Sequence, residues 1–301
     1  MTTTKTAPAV AAPSRAGNTG LTFGGVLKSE WIKFRSLMST RLLLIGAFIA
    51  VIGVGTLAAW LRGTVIQRIM ESGPRGQGVP GSAHLTESAA EQALPRGFDI
   101  YGVPNAGLQL GILVLGALAV LFISSEFATG MIRSTMTATP RRLPAFTAKA
   151  IVLVVVSYVM TVVAAFITFL ISIPVLNAYG VSMSLQRDGV LPGIFLGGLY
   201  VAGVALIGLS LGTLLRNSAG GIIVLVALFF VVPFATQLLG LVPGDFWQHV
   251  NEYVPSVSGG RMLEIGHQDG FIDPWAGGLI FLAWILVFLI PAVITLKKRD
   301  V

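Results

Sequence analysis

The sequence predicts an all-α membrane protein: six transmembrane helices, an N-terminal amphipathic helix lying at the interface, and both termini in the cytoplasm. Three observations carry that prediction. Hydrophobic residues make up 54% of the 301-residue chain and charged ones 11%, with a mean hydropathy of +0.83. Soluble domains carry about 25% charge, so this chain needs lipid as its solvent. Six continuous uncharged runs are each long enough for the roughly 20 helical residues that a bilayer core requires, and the loops between them divide the charge unequally.

Residues 1–22, "MTTTKTAPAVAAPSRAGNTGLT", are mostly Thr, Ala, Pro and Gly. They lack the bulk to bury a core and are expected to form a disordered tail. No continuous apolar stretch follows the first cation, so the segment does not read as a signal peptide.

In residues 23–41, Phe23, Leu27, Trp31, Phe34 and Met38 recur at helical spacing, within an arc of about 80° at 100° per residue. Lys28, Lys33 and Arg35 lie off that arc, as expected of a helix in the inner interface with its cations toward anionic headgroups. Glu30 projects near the apolar arc. It either snorkels sideways or pairs with a cation from another cytoplasmic element, Arg133 being the preferred partner.

The spans are expected at about 42–61, 106–123, 150–175, 191–215, 219–239 and 275–296, within a six-span domain covering 42–301. Continuous runs of this length favour helices, in which each segment satisfies its own backbone; a barrel would show alternating strands of about ten residues. Place the termini, the 124–149 connector and the 216–218 turn on one side. That side then holds 14 of the 20 Lys and Arg, all six lysines among them, against three carboxylates (Glu30, Glu126, Asp300). The other side holds six cations and ten carboxylates. Cations accumulate in cytoplasmic loops, so the first side is assigned to the cytoplasm. The net charge of +7 follows from the same rule and calls for no nucleic acid partner. Trp60 and Trp275 fall at outer span ends, where amphipathic rings collect.

Several chemistries lack their residues. Cysteine is absent, which removes disulfides and thiolate sites. No Walker A motif occurs; the nearest Gly-rich stretch, "GPRGQGVPG", has no Lys. The chain is therefore expected to hydrolyse no nucleotide alone, and to be no enzyme. His84, His249 and His267 are scattered through outer loops without a metalloprotease pattern. The outer acids Asp245, Glu252, Glu264, Asp269 and Asp273 either bind a cation or reflect the scarcity of cations outside. The apolar runs contain no ionisable residue, which weighs against an ion-coupled transporter.

Polar and small residues in the spans read first as packing. Ser157, Thr161, Thr168 and Ser172 share a face of the third span with Ala164 and Ala165, and Gly193, Gly197, Gly208 and Gly212 line the fourth. In the fifth, Phe230, Phe234 and Gln237 share a face beside Pro233, which should kink the helix. That face is either core or a wall suited to an amphiphilic substrate.

The 124–149 connector departs most from its surroundings. It contains Glu126-x-x-x-Gly130-x-x-Arg133, then Pro140, Arg141, Arg142 and Lys149. By composition it is an anchoring loop or something more. The Glu–Gly–Arg pattern, followed by "ATPRR" and a Lys opening the next span, resembles the cytoplasmic coupling region of type-2 ATP-binding-cassette (ABC) exporter permeases, particularly actinobacterial ones. The resemblance extends to "LKSEWIKFRS" before the first span, "LLRNSAGGI" between the fourth and fifth, and "EYVPSVSGGRML" before the sixth. It runs from residue 27 to 263 but leaves out the N-terminal tail and the 63–105 loop.

This resemblance implies a bacterial plasma-membrane exporter subunit. It works as a dimer with a second copy or a related permease, and with two cytoplasmic ATPase subunits that hold the ATP and Mg; the chain itself binds no cofactor. The connector becomes a short cytoplasmic helix docked on the ATPase, with Glu126 holding Arg133, Gly130 permitting a turn or close approach, and Glu30 nearby. Spans two and five line the substrate path at the dimer axis, which brings in Gln109 with Phe230, Phe234 and Gln237. The segment before span six is expected to form short re-entrant helices near the outer face. Two alternatives stay open: an ion-coupled secondary transporter, and a non-transporting anchor or sensor subunit.

Overall fold

The computed structural model describes residues 22–72, 101–131, 142–187, 189–264 and 272–298. Within them the chain is helical, without strands. Six of its helical segments are long and apolar enough to cross a membrane.

Helix α1 spans Phe23–Ser36, opened by the Thr22 side chain accepting from the Gly25 N–H. Leu37 is extended, and α2 then runs Met38–Ser72. The stretch expected as one interfacial helix over 23–41 is thus divided between two helices. Arg41 reaches back to close the first, its Nε donating to the Arg35 carbonyl at 2.7 Å, a partner for one of the orphan carbonyls that a helix end leaves.

After a 3₁₀ turn at Val103–Asn105, α3 covers Leu108–Ala128, α4 Arg142–Asn177 and α5 Val190–Leu215. Arg216, in the left-handed conformation at φ 51°, terminates α5, and Asn217 caps the next helix by accepting from the Gly220 N–H. The fifth span is composite: α6 (Ser218–Val226), a π-turn (Ala227–Val231) and α7 (Val232–Leu239). The irregularity falls where Pro233 lacks an N–H for the Phe229 carbonyl, and the Val232 N–H bonds to the Ala227 carbonyl instead. Two short helices, α8 (Asp245–His249) and α9 (Pro255–Arg261), flank a 3₁₀ turn at Val250–Tyr253 before α10 (Pro274–Lys298).

Several helices outrun the apolar runs that predicted them. α2 takes in Arg41, Arg62 and Arg68, α3 takes in Glu126, and α4 takes in Lys149. The uncharged spans expected from the sequence are therefore cores of longer helices, whose ends carry charge.

α5 is the centre of the bundle, packed against α3, α4 and α10. Its membrane-length window is 78% buried, against 11% for the fifth span. The small residues of α5 make this possible. A Cβ on Gly208 would lie 2.5 Å from the Gly116 carbonyl oxygen of α3, so the two backbones meet there as small-residue stripes allow. The polar face of the third span is likewise buried: Ser157, Thr161, Thr168 and Ser172 are each at most 1% exposed.

The α8–α9 segment folds back against the bundle. Tyr200, about three turns into α5, donates its hydroxyl to the Ser256 carbonyl at 3.3 Å. The Trp284 Nε1 of α10 donates to the Tyr253 carbonyl at 2.9 Å.

Candidate functional site

The residues flagged by sequence fall at two ends of the bundle. At the end carrying the N- and C-terminal helix ends, α1 lies along the start of α4. Val26 packs against Ala145 and Ala148, while Phe34 joins Phe122 and Phe146, meeting the Phe122 ring edge-on at 5.2 Å between centroids. The docking face of α1 is therefore Val26, Glu30 and Phe34. Phe23, Trp31 and Met38, expected on the apolar arc, are exposed. That arc collected the largest apolar side chains, whereas the docked face uses a small valine beside alanines and a carboxylate that finds partners.

With those partners Glu30 forms a quartet of two carboxylates and two ammonium groups, buried except for the half-buried Lys33. Glu30 contacts Lys149 at 2.7 Å through Oε2 and Lys33 at 2.8 Å through Oε1. Glu126 contacts the same two lysines through Oε1, at 2.9 and 3.3 Å. Glu30, Glu126 and Lys149 are 1%, 3% and 2% exposed, and Lys149 Nζ also stands 3.8 Å from the Phe122 ring centroid. The charges cancel, as burial demands. Glu126 Oε2 is buried without a hydrogen bond among the described residues.

Burial by itself would raise the pKa of the Glu30 carboxyl. The attraction of Lys149, with the hydrogen bonds from both lysines, more than offsets it and holds the carboxyl below its ordinary range. Burial likewise opposes the Lys33 ammonium, but its bonds to Glu30 and attraction to Glu126 together raise its pKa above the usual lysine value.

This placement differs from the expected coupling surface. Glu126 belongs to the last turn of α3 and faces inward, so it is part of the bundle rather than of a separate docking helix. Arg133, the expected partner of Glu30 and Glu126, lies outside the described residues, as do Pro140 and Arg141. The cations that reach both carboxylates are Lys149 and Lys33. Gly130 is exposed with φ +70°, and a Cβ there would meet nothing within 4 Å. It serves a turn just past α3, the conformation glycine supplies without strain, and within the described residues its open side meets no other part of the chain.

At the opposite end, a cleft of about 520 Å³ opens between the start of α3, the π-turn and the α9 region. Gln109, Phe230 and Pro233 line it together with Glu252, Ser256 and Arg261. Two of the expected path residues, Gln109 and Phe230, are thus brought together. Phe234 and Gln237 are not; both are exposed on the flank of α7, Phe234 at 64%.

Of the outer acids, Glu252 Oε2 accepts from the Ile272 N–H at 2.9 Å, and Glu264 forms a close ion pair with Arg261. Asp269 lies outside the described residues. Among the described residues no three acids or histidines gather as metal ligands.

Lys149 is the residue that sequence reasoning underused. Its helix begins at Arg142, ahead of the apolar run, and so carries Lys149 inside, but nothing local in "LPAFTAK" announces the distant carboxylate it meets. No protein-family model matches this chain, and no curated protein matches its sequence.

Proposed function

We propose that this chain is the membrane-spanning permease subunit of an ATP-driven exporter of the type-2 ABC class. In this reading it sits in a bacterial plasma membrane with both termini in the cytoplasm. It pairs with a second permease copy or a related chain, and with two separate ATPase subunits that bind ATP and Mg. The cargo is an amphipathic small molecule, peptide or lipid.

The observation that carries the reading is the buried quartet. It clamps α1 and the two helices that bracket the 129–141 connector into one unit. A connector rooted in such a unit passes displacement to α3 and α4 rather than absorbing it. Nucleotide-driven closure of the ATPases would then bias the bundle between two states. The connector motif, the order of the sequence blocks and the cation bias of this end support the same assignment.

One observation favours a second reading. Glu126 and Lys149 lie inside spanning helices, and buried ionisable groups mark ion relays in coupled transporters. Against it, each carboxylate is already neutralised by lysines at one end of the bundle.

Reconstitution with a cognate ABC ATPase subunit, sought in a neighbouring reading frame, tests both. The exporter reading expects co-purification of the two proteins and transport that needs ATP but survives collapse of the proton gradient. It also expects Arg133→Ala to loosen ATPase docking while leaving membrane insertion intact, since other cations preserve the charge bias. Transport that needs the gradient and no ATPase would replace this reading with the second.

A further inference from the structure

We propose that the cleft between α3, the π-turn and α9 binds an organic monocation with an apolar, aromatic-compatible body. Its volume of about 520 Å³ lies within the range of small-molecule sites. Three charged side chains line it: Glu252, Arg261 and Glu264. Arg261 is committed, paired with Glu264 and donating through Nε to the Ile272 carbonyl at 3.0 Å. Glu252 is therefore the charge left without a counter-ion among the described lining residues.

The Glu252 carboxylate is oriented by the Ile272 N–H on Oε2, while Oε1 has no hydrogen-bond partner among the described residues. A carboxylate beside a low-dielectric wall attracts a cation more strongly than one in open water.

The rest of the lining selects the kind of cation. Phe229 and Phe230 contribute aromatic surface from the π-turn, and ring faces attract organic cations. A bare divalent metal is poorly served, because the described residues offer no cluster of three metal-binding side chains. Gln109 and Ser256 add polar atoms at the rim and wall, the Ser256 Oγ being buried with no hydrogen-bond partner. An anion would meet Glu252 with Arg261 already engaged. Treating the ligand as exported cargo rests on the exporter reading; its binding does not.

The test uses the full chain in phosphatidylcholine nanodiscs, with no ATPase present. Radiolabelled tetraphenylphosphonium is the probe, tetraphenylborate (near-identical in shape and opposite in charge) is the comparator, and empty discs give the background. The expected result is saturable binding of the phosphonium, at least about tenfold tighter than the borate.

Glu252→Gln keeps an acceptor for the Ile272 N–H and should weaken phosphonium binding by about tenfold. Gly260→Phe should abolish it, because Gly260 lines the cleft and a Cβ there meets nothing within 4 Å, so the ring fills the space without disturbing α9. Both variants should elute like the wild type in size exclusion. Equal binding of the two ions, no saturable binding, or phosphonium binding that survives Gly260→Phe overturns the assignment. Failure of the exporter reading would appear separately, as loss of ATPase co-purification by the wild type.

Discussion

The two ends of the bundle handle charge in opposite ways. At the α1 end, three buried charged groups and the half-buried Lys33 neutralise one another within 3.3 Å. At the other end Arg261 and Glu264 pair off, leaving Glu252 beside an open cleft. Two buried acids in a closed cluster act as a clamp, because every charge depends on the others staying in place. One acid held by a single backbone N–H in a cleft suits a receptor, because among the described residues its second oxygen has no hydrogen-bond partner. The lesson concerns burial more than residue type: glutamates do both jobs.

The largest effect that would break this comparison is at the clamp. Lys149→Met leaves two buried carboxylates with one shared lysine, and removal of one partner from a buried ion pair costs about 3–5 kcal/mol. Unfolding of the detergent-solubilised protein should show a loss of that size, with faster proteolysis near Leu37 as α1 detaches. In a double-mutant cycle, Glu30→Gln combined with Lys149→Met should cost less than the two singles summed. Additivity would mean that the clamp is not a unit.

Next comes pH. The Glu30 carboxyl sits below its ordinary value near 4.5, so its stabilisation is complete above that value and is lost as pH falls through the lower folded-state pKa. Lys33 sits above its ordinary value near 10.5. Its contribution is complete below that value and is lost only as pH rises through the still higher folded-state pKa. Attachment of α1 should be flat across neutral pH and weaken at both extremes. Amide exchange of α1 would read this directly, and a transition near pH 7 would contradict the quartet.

A smaller effect contrasts the ends with one chemistry. Glu126→Gln unbalances the buried quartet and should cost several kcal/mol by the same reasoning as Lys149→Met. Glu252→Gln preserves a neutral hydrogen bond and should cost no more than about 1 kcal/mol in unfolding. Equal costs would show that Glu252 is structural. Smallest of all is Phe234→Ala. Its side chain is 64% exposed in the single chain, so thermal unfolding of the monomer should move by no more than about 0.5 kcal/mol; a larger loss confined to assembled protein would place Phe234 at a subunit contact.

The six spans were legible as apolar runs because length and hydropathy suffice to define a membrane helix. Their ends were not, since Met38–Arg41 and Arg142–Lys149 continue a helix with polar residues that hydropathy discounts. Pro233 correctly located the irregular turn, although the π-geometry was not in the pattern. Glu30 stood out because a carboxylate interrupted an apolar face, and Glu126 because it opened an unusual connector. Of the two lysines they share, Lys149 did not, because it is 119 residues from Glu30, and no local periodicity reports contact over that distance. Phe230 lies within the π-turn and lines the cleft, whereas Phe234 and Gln237 follow it and are exposed in the single chain.

That separation also orders events during synthesis. Glu126 and Lys149 are 23 residues apart and Glu30 and Lys149 are 119 apart, and shorter loops close at less entropic cost. The hairpin of α3 and α4 is therefore expected to form its ion pair before α1, made earlier, brings Glu30 and Lys33 to it. When Lys149 arrives it completes a neutral site, and the oldest part of the nascent chain is latched to one of its newer helices. A chain whose third span packs in the wrong register would present no Lys149 ammonium to Glu30 and would leave α1 unlatched from the bundle.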